Sequence, residues 1–151
     1  MTMRFDYGQF APRTLVPSLR GRLSRPRPIL SVTLIGPTGT SPQDSLLDTG
    51  ADDTVFPDWV AAQIGVDLTR APAGVGAGIG QGAFGLRFAE VKLRIADNHE
   101  RREWRAWVGF SAAAIRYPML GYTGFLEYFT ATFHGDRQEV ELTVNGTYPG
   151  I

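Results

Sequence analysis

Hydrophobic and polar positions alternate along most of this chain, and a period of two is the pattern of strands that bury one face. The runs with this pattern predict strands over Ile29 to Ile35, Asp44 to Asp48, Phe84 to Ile95, Trp104 to Phe110 and, as a closing hairpin, Phe129 to Val144. Met3, Phe5 and Tyr7 alternate in the same way and predict a short strand before them. Many short strands with few helical segments predict an all-β fold that closes, wholly or partly, into a barrel.

The longest of these runs changes phase in its middle. Its apolar residues occupy even positions from Phe84 to Phe88 and odd positions from Val91 to Ile95. Because side chains alternate between the two faces of a strand, one extra residue would restore a single buried face. We therefore expect a β-bulge near Ala89-Glu90.

Two segments predict short helices. The first runs from Pro57 to Ile64, because proline suits the first turn of a helix and Gly65 suits its C-terminal cap. The second runs from Thr123 to Phe129. Both are short, so the prediction of a mainly β domain is unchanged.

Arginine and proline are concentrated before the first long strand. Residues 11–28 contain five arginines and four prolines. Proline removes an N–H donor and fixes φ, so neither a helix nor a central strand is expected there. We interpret residues 1–28 as an extended N-terminal arm, 29–145 as the folded domain and 146–151 as a tail. The arm is either a solvated segment lying over the domain or a basic docking segment for an acidic partner.

Composition narrows the classes of function. The 151 residues suffice for one domain with a sizeable core, and the formal net charge is zero, so neither nucleic acid nor an anionic membrane is an expected partner. No apolar run is long enough to span a bilayer, and the N-terminus lacks an apolar signal core, which favours a cytoplasmic location. There is no cysteine, and His99 and His134 lie far apart, so we expect no metal site and no cofactor.

Glycine occupies every second position from 74 to 82. The spacing does not match the dinucleotide-binding fingerprint, and a strand is expected to follow where phosphate binding would need the start of a helix. Glycine also permits backbone conformations with positive φ. The segment therefore predicts a mobile hairpin tip.

The segment from Leu46 to Val55, with the sequence LLDTGADDTV, has the strongest chemical signal in the chain. Its apolar residues end a strand and carry the carboxylate of Asp48 out of the core. Gly50 lets the backbone turn tightly and lets another chain approach. For the bare tripeptide Asp-Thr-Gly, an ordinary turn is the alternative, because turns favour these residues.

The full decapeptide resembles the active-site segment of the retroviral aspartic proteases, the retropepsin-like family. Three further segments resemble that family in the same order. The glycine-rich residues 74–82 resemble its flap, Met119-Leu120-Gly121 resembles the segment that passes behind the catalytic loop, and Gly124 to Phe129 resembles the helix that follows. The resemblance covers about residues 29–145 and implies an acid-protease barrel with half an active site in each chain.

The resemblance implies a homodimeric aspartic endopeptidase that cuts a peptide or protein substrate. Two carboxylates held about 3 Å apart share one proton, and this chain has one Asp-Thr-Gly, so the second Asp48 would come from another copy. The resemblance implies that Asp48 is the catalytic acid and base, that Thr49 interlocks with its equivalent in the partner, and that Gly50 lines the groove and bonds the substrate main chain. The residues implied to bind substrate are Ala51, Asp52, Asp53, Val55, Gly78, Ile79, Gly80 and Met119.

The resemblance is incomplete and leaves alternatives open. Tyr122 stands where retroviral enzymes usually carry an arginine that pairs with the acid at the position of Asp52. Leu46, Val55 and Met119 either form apolar pocket walls or simply pack in the core. A proteolytically silent peptide-binding or oligomerisation module is the alternative function, since a fold does not guarantee an activity. A small barrel that binds a small ligand is a third reading, which no residue supports.

Overall fold

The computed structural model describes residues 1–78 and 82–151, and the prediction of an all-β fold is confirmed. The strands are β1 (Thr2–Asp6), β2 (Gly8–Phe10), β3 (Arg25–Arg27), β4 (Ile29–Gly36), β5 (Gly39–Leu47), β6 (Val55–Pro57), β7 (Ala73–Gly78), β8 (Gly82–Ala96), β9 (Arg101–Ser111), β10 (Met119–Leu120), β11 (Phe129–His134) and β12 (Glu139–Val144). One α-helix, α1 (Asp58–Ile64), and two short 3-10 helices, Pro17–Leu19 and Leu126–Tyr128, complete the secondary structure of the described residues.

Six strands close into a barrel. They follow the order β4-β5-β10-β6-β9-β8, and β4 also pairs with β8, which joins the two ends of the sheet. β10 runs parallel to β5 and β6 runs parallel to β9, whereas the other neighbours are antiparallel. β7 pairs with the first half of β8, from Gly82 to Arg87. This pair extends the sheet as a hairpin beyond the barrel.

The core is built from the apolar faces of the predicted strands. Val32 of β4, Leu93 of β8 and Val108 of β9 are fully buried. Because alternate residues of a strand point to opposite faces, the period of two in the sequence becomes one continuous apolar surface. α1 packs on β4 and β5 and adds Val60 and Ile64 to the same core.

The bulge predicted near Ala89-Glu90 is wrong. β8 pairs with β9 in one unbroken register from Leu86 to Ala96. The apolar residues change phase because the two halves of this long strand bury opposite faces, with Leu86 buried in the hairpin half and Val91 in the barrel half. A strand that exchanges one packing partner for another therefore has the same sequence pattern as a strand with an inserted residue.

The first predicted helix is confirmed as α1, with Pro57 as its N-cap. Gly65 ends it with a φ of 81°, a left-handed conformation that favours glycine. The second predicted helix is shorter than expected, because only Leu126–Tyr128 forms a 3-10 turn and Phe129 already begins β11. Within the described residues, no helix combines the length and the apolar character that crossing a membrane requires.

The first residues fold against the domain. β1, predicted from the alternation of Met3 with its neighbours, pairs with β12, and Met3 is buried in the core. β12 also pairs with β11, which gives a three-stranded sheet in the order β1-β12-β11.

The arginine- and proline-rich segment forms a hairpin of its own, which the expectation of an extended arm did not include. β2 and β3 pair with each other, and Pro26 is tolerated there because a two-stranded ribbon leaves an edge free. The guanidinium group of Arg27 lies 5.6 Å from the ring centre of Phe10 and 5.3 Å from that of Tyr117. This cation–π contact holds the hairpin against the segment that leads into β10.

The C-terminal tail is bound along β9. Ile151 and Glu103 exchange two backbone hydrogen bonds, both of 3.1 Å. The Tyr148 hydroxyl donates to the Glu103 carbonyl oxygen at 2.9 Å, and its ring packs edge-on against Trp104. The residues after β12 are therefore part of the folded domain and are held by hydrogen bonds to β9.

Candidate active site

Asp48 comes directly after β5, whose last residue, Leu47, is buried in the core. The backbone N–H of Asp48 donates to the Leu120 carbonyl oxygen at 3.1 Å, which ties the residue to β10. Asp48 itself is half-buried. A buried strand thus delivers one carboxylate to the end of the barrel wall.

A tight turn holds the carboxylate of Asp48. Ala51 donates its backbone N–H to the Asp48 carbonyl oxygen at 3.1 Å, and Gly50 donates its N–H to Oδ1 of Asp48 at 2.9 Å. A Cβ at position 50 would lie 3.3 Å from the same Oδ1, so any other residue would crowd this bond. Thr49 is exposed at the corner of the turn.

β10 lies between the two strands that flank this turn. Met119 is opposite Leu46 of β5 on one side and Val55 of β6 on the other. Val55 is buried, whereas Leu46 and Met119 are partly exposed. Val55 therefore packs in the core as well as lining the site, whereas Leu46 and Met119 present apolar surface near the turn.

Gly121 is the residue that lets the chain pass behind the Asp48 turn. A Cβ at this position would overlap the carbonyl oxygens of Asp53 and Ala51. The next residue, Tyr122, donates its N–H to the Ala51 carbonyl oxygen at 2.9 Å. Only a glycine permits so close an approach of two backbones, and the predicted role of the Leu-Gly segment behind the turn agrees with this packing.

Thr54 is a buried polar residue that the sequence analysis did not single out. Its hydroxyl donates to the Thr123 carbonyl oxygen at 2.9 Å, and its own carbonyl oxygen accepts the Gly109 N–H at 2.8 Å. It thereby joins the loop after Asp48 to both β9 and the segment after β10. The sequence did contain a signal for this role: Thr54 directly precedes the apolar Val55, and a polar group buried with an apolar neighbour needs a hydrogen-bond partner.

A groove of about 130 Å³ runs between the Asp48 turn and the β7–β8 hairpin. Its lining residues are Ala51, Asp52, Asp53, Val55, Val75, Gly76, Phe84, Leu86 and Met119. Five of these were predicted to bind substrate, and the fold brings them together from the loop, β6 and β10. Asp48, Thr49 and Gly50 directly precede this loop and are not among the lining residues.

The sequence analysis did not identify the residues of the β7–β8 hairpin that line the groove. Val75, Phe84 and Leu86 line it, although the sequence analysis assigned them only to strands. The signal was present in the even-numbered apolar residues of β8, which face a different side from the odd-numbered residues of the barrel half. Val75 remains 70% exposed, so the groove leaves apolar surface open on the hairpin.

The residues predicted at the hairpin tip fall at the limit of the described structure. Ile79 and Gly80 lie outside the described residues. Gly78 is the last residue of β7 and pairs with Gly82 of β8, which confirms a β-hairpin around the predicted tip. Within the described residues, β7 pairs only with β8, so its other edge is free.

The loop after the turn carries two adjacent carboxyl groups. Burial, together with the neighbouring charge of Asp52, raises the pKa of Asp53 above its usual value. Asp52 is exposed, and within the described part of the chain no salt bridge involves it. Tyr122 is also exposed and supplies no charge there. The acidic groove therefore has no internal cation of the kind that the resemblance implies.

A second cluster of titratable groups lies on β11 and β12. His134, Glu139 and Glu141 bring their ligand atoms within 4.8 Å of one another. Arg4 and Arg137 already pair with Glu141, at 3.1 and 3.8 Å, and Arg137 lies 3.5 Å from Glu139. Arginine side chains of the protein thus already pair with both carboxylates, and the expectation of no metal site stays a prediction.

Comparisons of the chain with protein-family models, with curated proteins and with solved structures find no match.

Proposed function

We propose that this protein is an aspartic endopeptidase whose active site forms when two copies bring their Asp48 carboxylates together. The observation that carries the proposal is the arrangement at the end of β5. One carboxylate leaves a buried strand, a Gly50 N–H fixes its Oδ1, and a groove begins in the next residues of the loop. The resemblance of the decapeptide to retropepsin-like proteases supports the same assignment.

The chemistry requires a pair of carboxyl groups. Two acids at close range hold one proton between them, so one is a base while the other is an acid. The ionised Asp48 removes a proton from water, the water oxygen bonds to the peptide carbonyl carbon, and the protonated Asp48 of the partner subunit gives its proton to the carbonyl oxygen. The first Asp48, now protonated, gives that proton to the amide nitrogen while the ionised Asp48 of the partner subunit takes a proton back from a hydroxyl of the intermediate, which breaks the C–N bond, releases an amine and a carboxylic acid, and restores the pair with its one shared proton.

The groove supports an extended peptide as substrate. The free edge of β7 offers backbone N–H and C=O groups to which a peptide can add as another strand. Val75, Phe84 and Leu86 provide apolar contacts on the hairpin side, and Asp53 lies on the opposite side. A peptide between them would be bound by its main chain and by alternate side chains.

Cleavage of a denatured protein mixture tests the proposal. The wild-type chain should produce fragments, pepstatin should suppress them, and Asp48→Asn should abolish them, because an amide can neither accept nor share the proton. The matched control is Asp44→Asn, which removes an exposed carboxylate on β5, the strand that leads to Asp48. Full activity of Asp48→Asn, or equal loss in both variants, would contradict a catalytic Asp48.

The alternative is a proteolytically silent peptide-binding module. The free edge of β7 favours it as a second candidate, because strand addition needs no catalytic carboxylate. Such a module would bind an extended peptide with the same affinity in the wild type and in Asp48→Asn, and would release no fragments. Binding without cleavage by the wild type would decide for the module.

A further inference from the structure

The formal net charge of zero conceals a separation of charge along the chain. Residues 7–43 contain five arginines and no acidic residue, whereas the rest of the chain has ten basic and fifteen acidic residues. Three of the five arginines, Arg13, Arg20 and Arg22, lie between β2 and β3 in residues 11–24, which we call the arginine loop. A local excess of one charge attracts a partner of the opposite charge even when the whole chain is neutral.

The charges of the arginine loop are not neutralised by the chain itself. Arg13, Arg20 and Arg22 are exposed, and in the part of the chain that the structure describes every salt bridge uses other cations. The same is true of Arg25, at the start of β3. Guanidinium groups form their strongest hydrogen bonds with carboxylates, so these cations can take carboxylates from a second molecule.

The arginine loop is ordered by its own contacts. A 3-10 turn, Pro17–Leu19, lies at its centre, and Leu19 is buried. The Leu19 carbonyl oxygen accepts the backbone N–H of Arg22 at 3.0 Å and Nε–H of the same residue at 2.8 Å. Because the Nε bond fixes the guanidinium group, Arg22 presents its terminal nitrogens in one orientation and loses little freedom when it binds a carboxylate.

Two leucines of the arginine loop are uncovered. Leu15 is 86% exposed and Leu23 is 79% exposed. Leu15 lies two residues after Arg13, and Leu23 directly follows Arg22. Apolar surface beside cations lets a partner bury apolar side chains in addition to pairing charges. The loop therefore suits a partner that carries apolar residues among its carboxylates.

We propose that the arginine loop docks an acidic segment of a partner protein. Carboxylates of that segment pair with Arg13, Arg20 and Arg22, and its apolar side chains cover Leu15 and Leu23. A lipid surface attracts basic residues whatever their spacing. A loop whose central turn and Arg22 are fixed by hydrogen bonds instead favours recognition of a polypeptide, because little ordering remains to oppose binding. The inference goes beyond the proposed peptidase activity and does not depend on it.

Fluorescence anisotropy of a labelled peptide tests the docking. The probe is a short peptide of glutamates with leucines among them, and the control peptide has glutamine in place of each glutamate. Pepstatin, present throughout, keeps the proposed active site from binding or cutting the probe. The full chain should bind the glutamate peptide saturably, more weakly as the ionic strength rises, and should not bind the glutamine peptide. Equal binding of both peptides, or of neither, would overturn the proposal.

Charge reversal identifies the surface that binds the probe. Arg20→Glu should weaken binding about fivefold, the scale of one exposed ion pair, and Leu15→Ser should weaken it as well. The matched control is Arg70→Glu, which makes the same change of net charge at another exposed arginine, in the loop before β7. Equal weakening by Arg20→Glu and Arg70→Glu would show attraction by net charge alone and would overturn the arginine loop as the docking surface.

Two further measurements separate this inference from its alternatives. Cosedimentation of the chain with phosphatidylserine vesicles, without binding of the glutamate peptide, would overturn a polypeptide partner in favour of a membrane. Pepstatin-sensitive cleavage by a chain that does not bind the probe would overturn the docking surface and leave the proposed peptidase intact. Binding that Arg20→Glu weakens, in a chain that cuts no protein, would support the docking surface and count against the peptidase alone.

Discussion

At the scale of single residues, the site depends on close approaches that few side chains allow. Gly50 holds Oδ1 of Asp48 with its N–H, and Gly121 lies against the carbonyl oxygens of Ala51 and Asp53. The decapeptide predicted the position of the carboxylate from sequence, because an apolar strand followed by Asp-Thr-Gly is a local pattern. The structural role of Thr54 was not predicted, because its hydroxyl bonds to the carbonyl oxygen of Thr123, which is distant in sequence and adjacent only in the fold.

Gly121→Ala should strongly destabilise the protein. The added methyl group would overlap two carbonyl oxygens of the loop, and overpacking of this kind costs about 3 kcal/mol. Denaturant unfolding followed by tryptophan fluorescence measures the change. Gly146→Ala is the control, since a Cβ there meets open space. Equal stability of the two variants would mean that the loop moves aside readily.

Asp53→Asn should stabilise the fold at neutral pH. Burial and then the charge of Asp52 raise the pKa of Asp53, so its contribution to stability is present at acid pH and is lost as the pH rises through that raised pKa. The amide avoids this loss, and the advantage of the variant should disappear at acid pH. Thermal unfolding between neutral and acid pH, with Asp44→Asn as the control, measures it. An advantage independent of pH would contradict the assigned cause.

At the scale of secondary-structure elements, the sequence pattern predicted those elements that are determined by interactions between residues close in sequence. The strand pattern of β4 and the proline and glycine around α1 were sufficient, since caps and alternation act within a few residues. The course of β8 was not predictable in this way. Its two halves bury opposite faces against different partners, and the sequence pattern alone does not distinguish this from a bulge. The β2–β3 hairpin was missed because Arg27 is held by Phe10 and Tyr117, a contact that no local pattern records.

Asp97→Ala should loosen the contact between β1 and the turn that joins β8 to β9. Although burial acts in the opposite direction, the N–H groups of His99, Glu100 and Arg4 hold the pKa of Asp97 below its usual value. Its stabilisation is therefore complete above the ordinary carboxyl pKa and is lost as the pH falls through the lowered one. We expect a loss of about 1 kcal/mol at neutral pH.

Unfolding at neutral and at acid pH checks this prediction. The difference between the wild type and Asp97→Ala should close as the medium becomes acidic. Asp136→Ala, in an exposed turn, is the control. A difference that persists unchanged in acid would show that the carboxylate charge is not what holds β1.

At the scale of the whole molecule, one chain supplies one Asp-Thr-Gly and therefore one of the two carboxyl groups that the proposed chemistry requires. The period of two and the scarcity of helix predicted a barrel, since closure follows from many short strands. The way its sheet closes, with β4 against β8, could not be predicted, because pairing between strands far apart in sequence leaves no local trace. The position of β11 at an edge of its sheet was likewise not predictable, because it follows from the order β1-β12-β11 and not from the residues of β11 alone.

Activity should depend on the concentration of the chain. If the active species is a dimer, tenfold dilution well below its dissociation constant lowers the activity per chain by about tenfold, by mass action. Cleavage of a fluorogenic peptide across a dilution series, with light scattering on the same samples, measures the dependence. Constant activity per chain from a species that scatters as a monomer would contradict a shared site.

The most direct test of the paired Asp48 carboxylates is a calorimetric titration of the protein with pepstatin. The proposal predicts one inhibitor bound per two chains and no binding to Asp48→Asn, with Asp44→Asn binding as the wild type does. One inhibitor per chain, or undiminished binding to Asp48→Asn, would contradict an active site that two copies share.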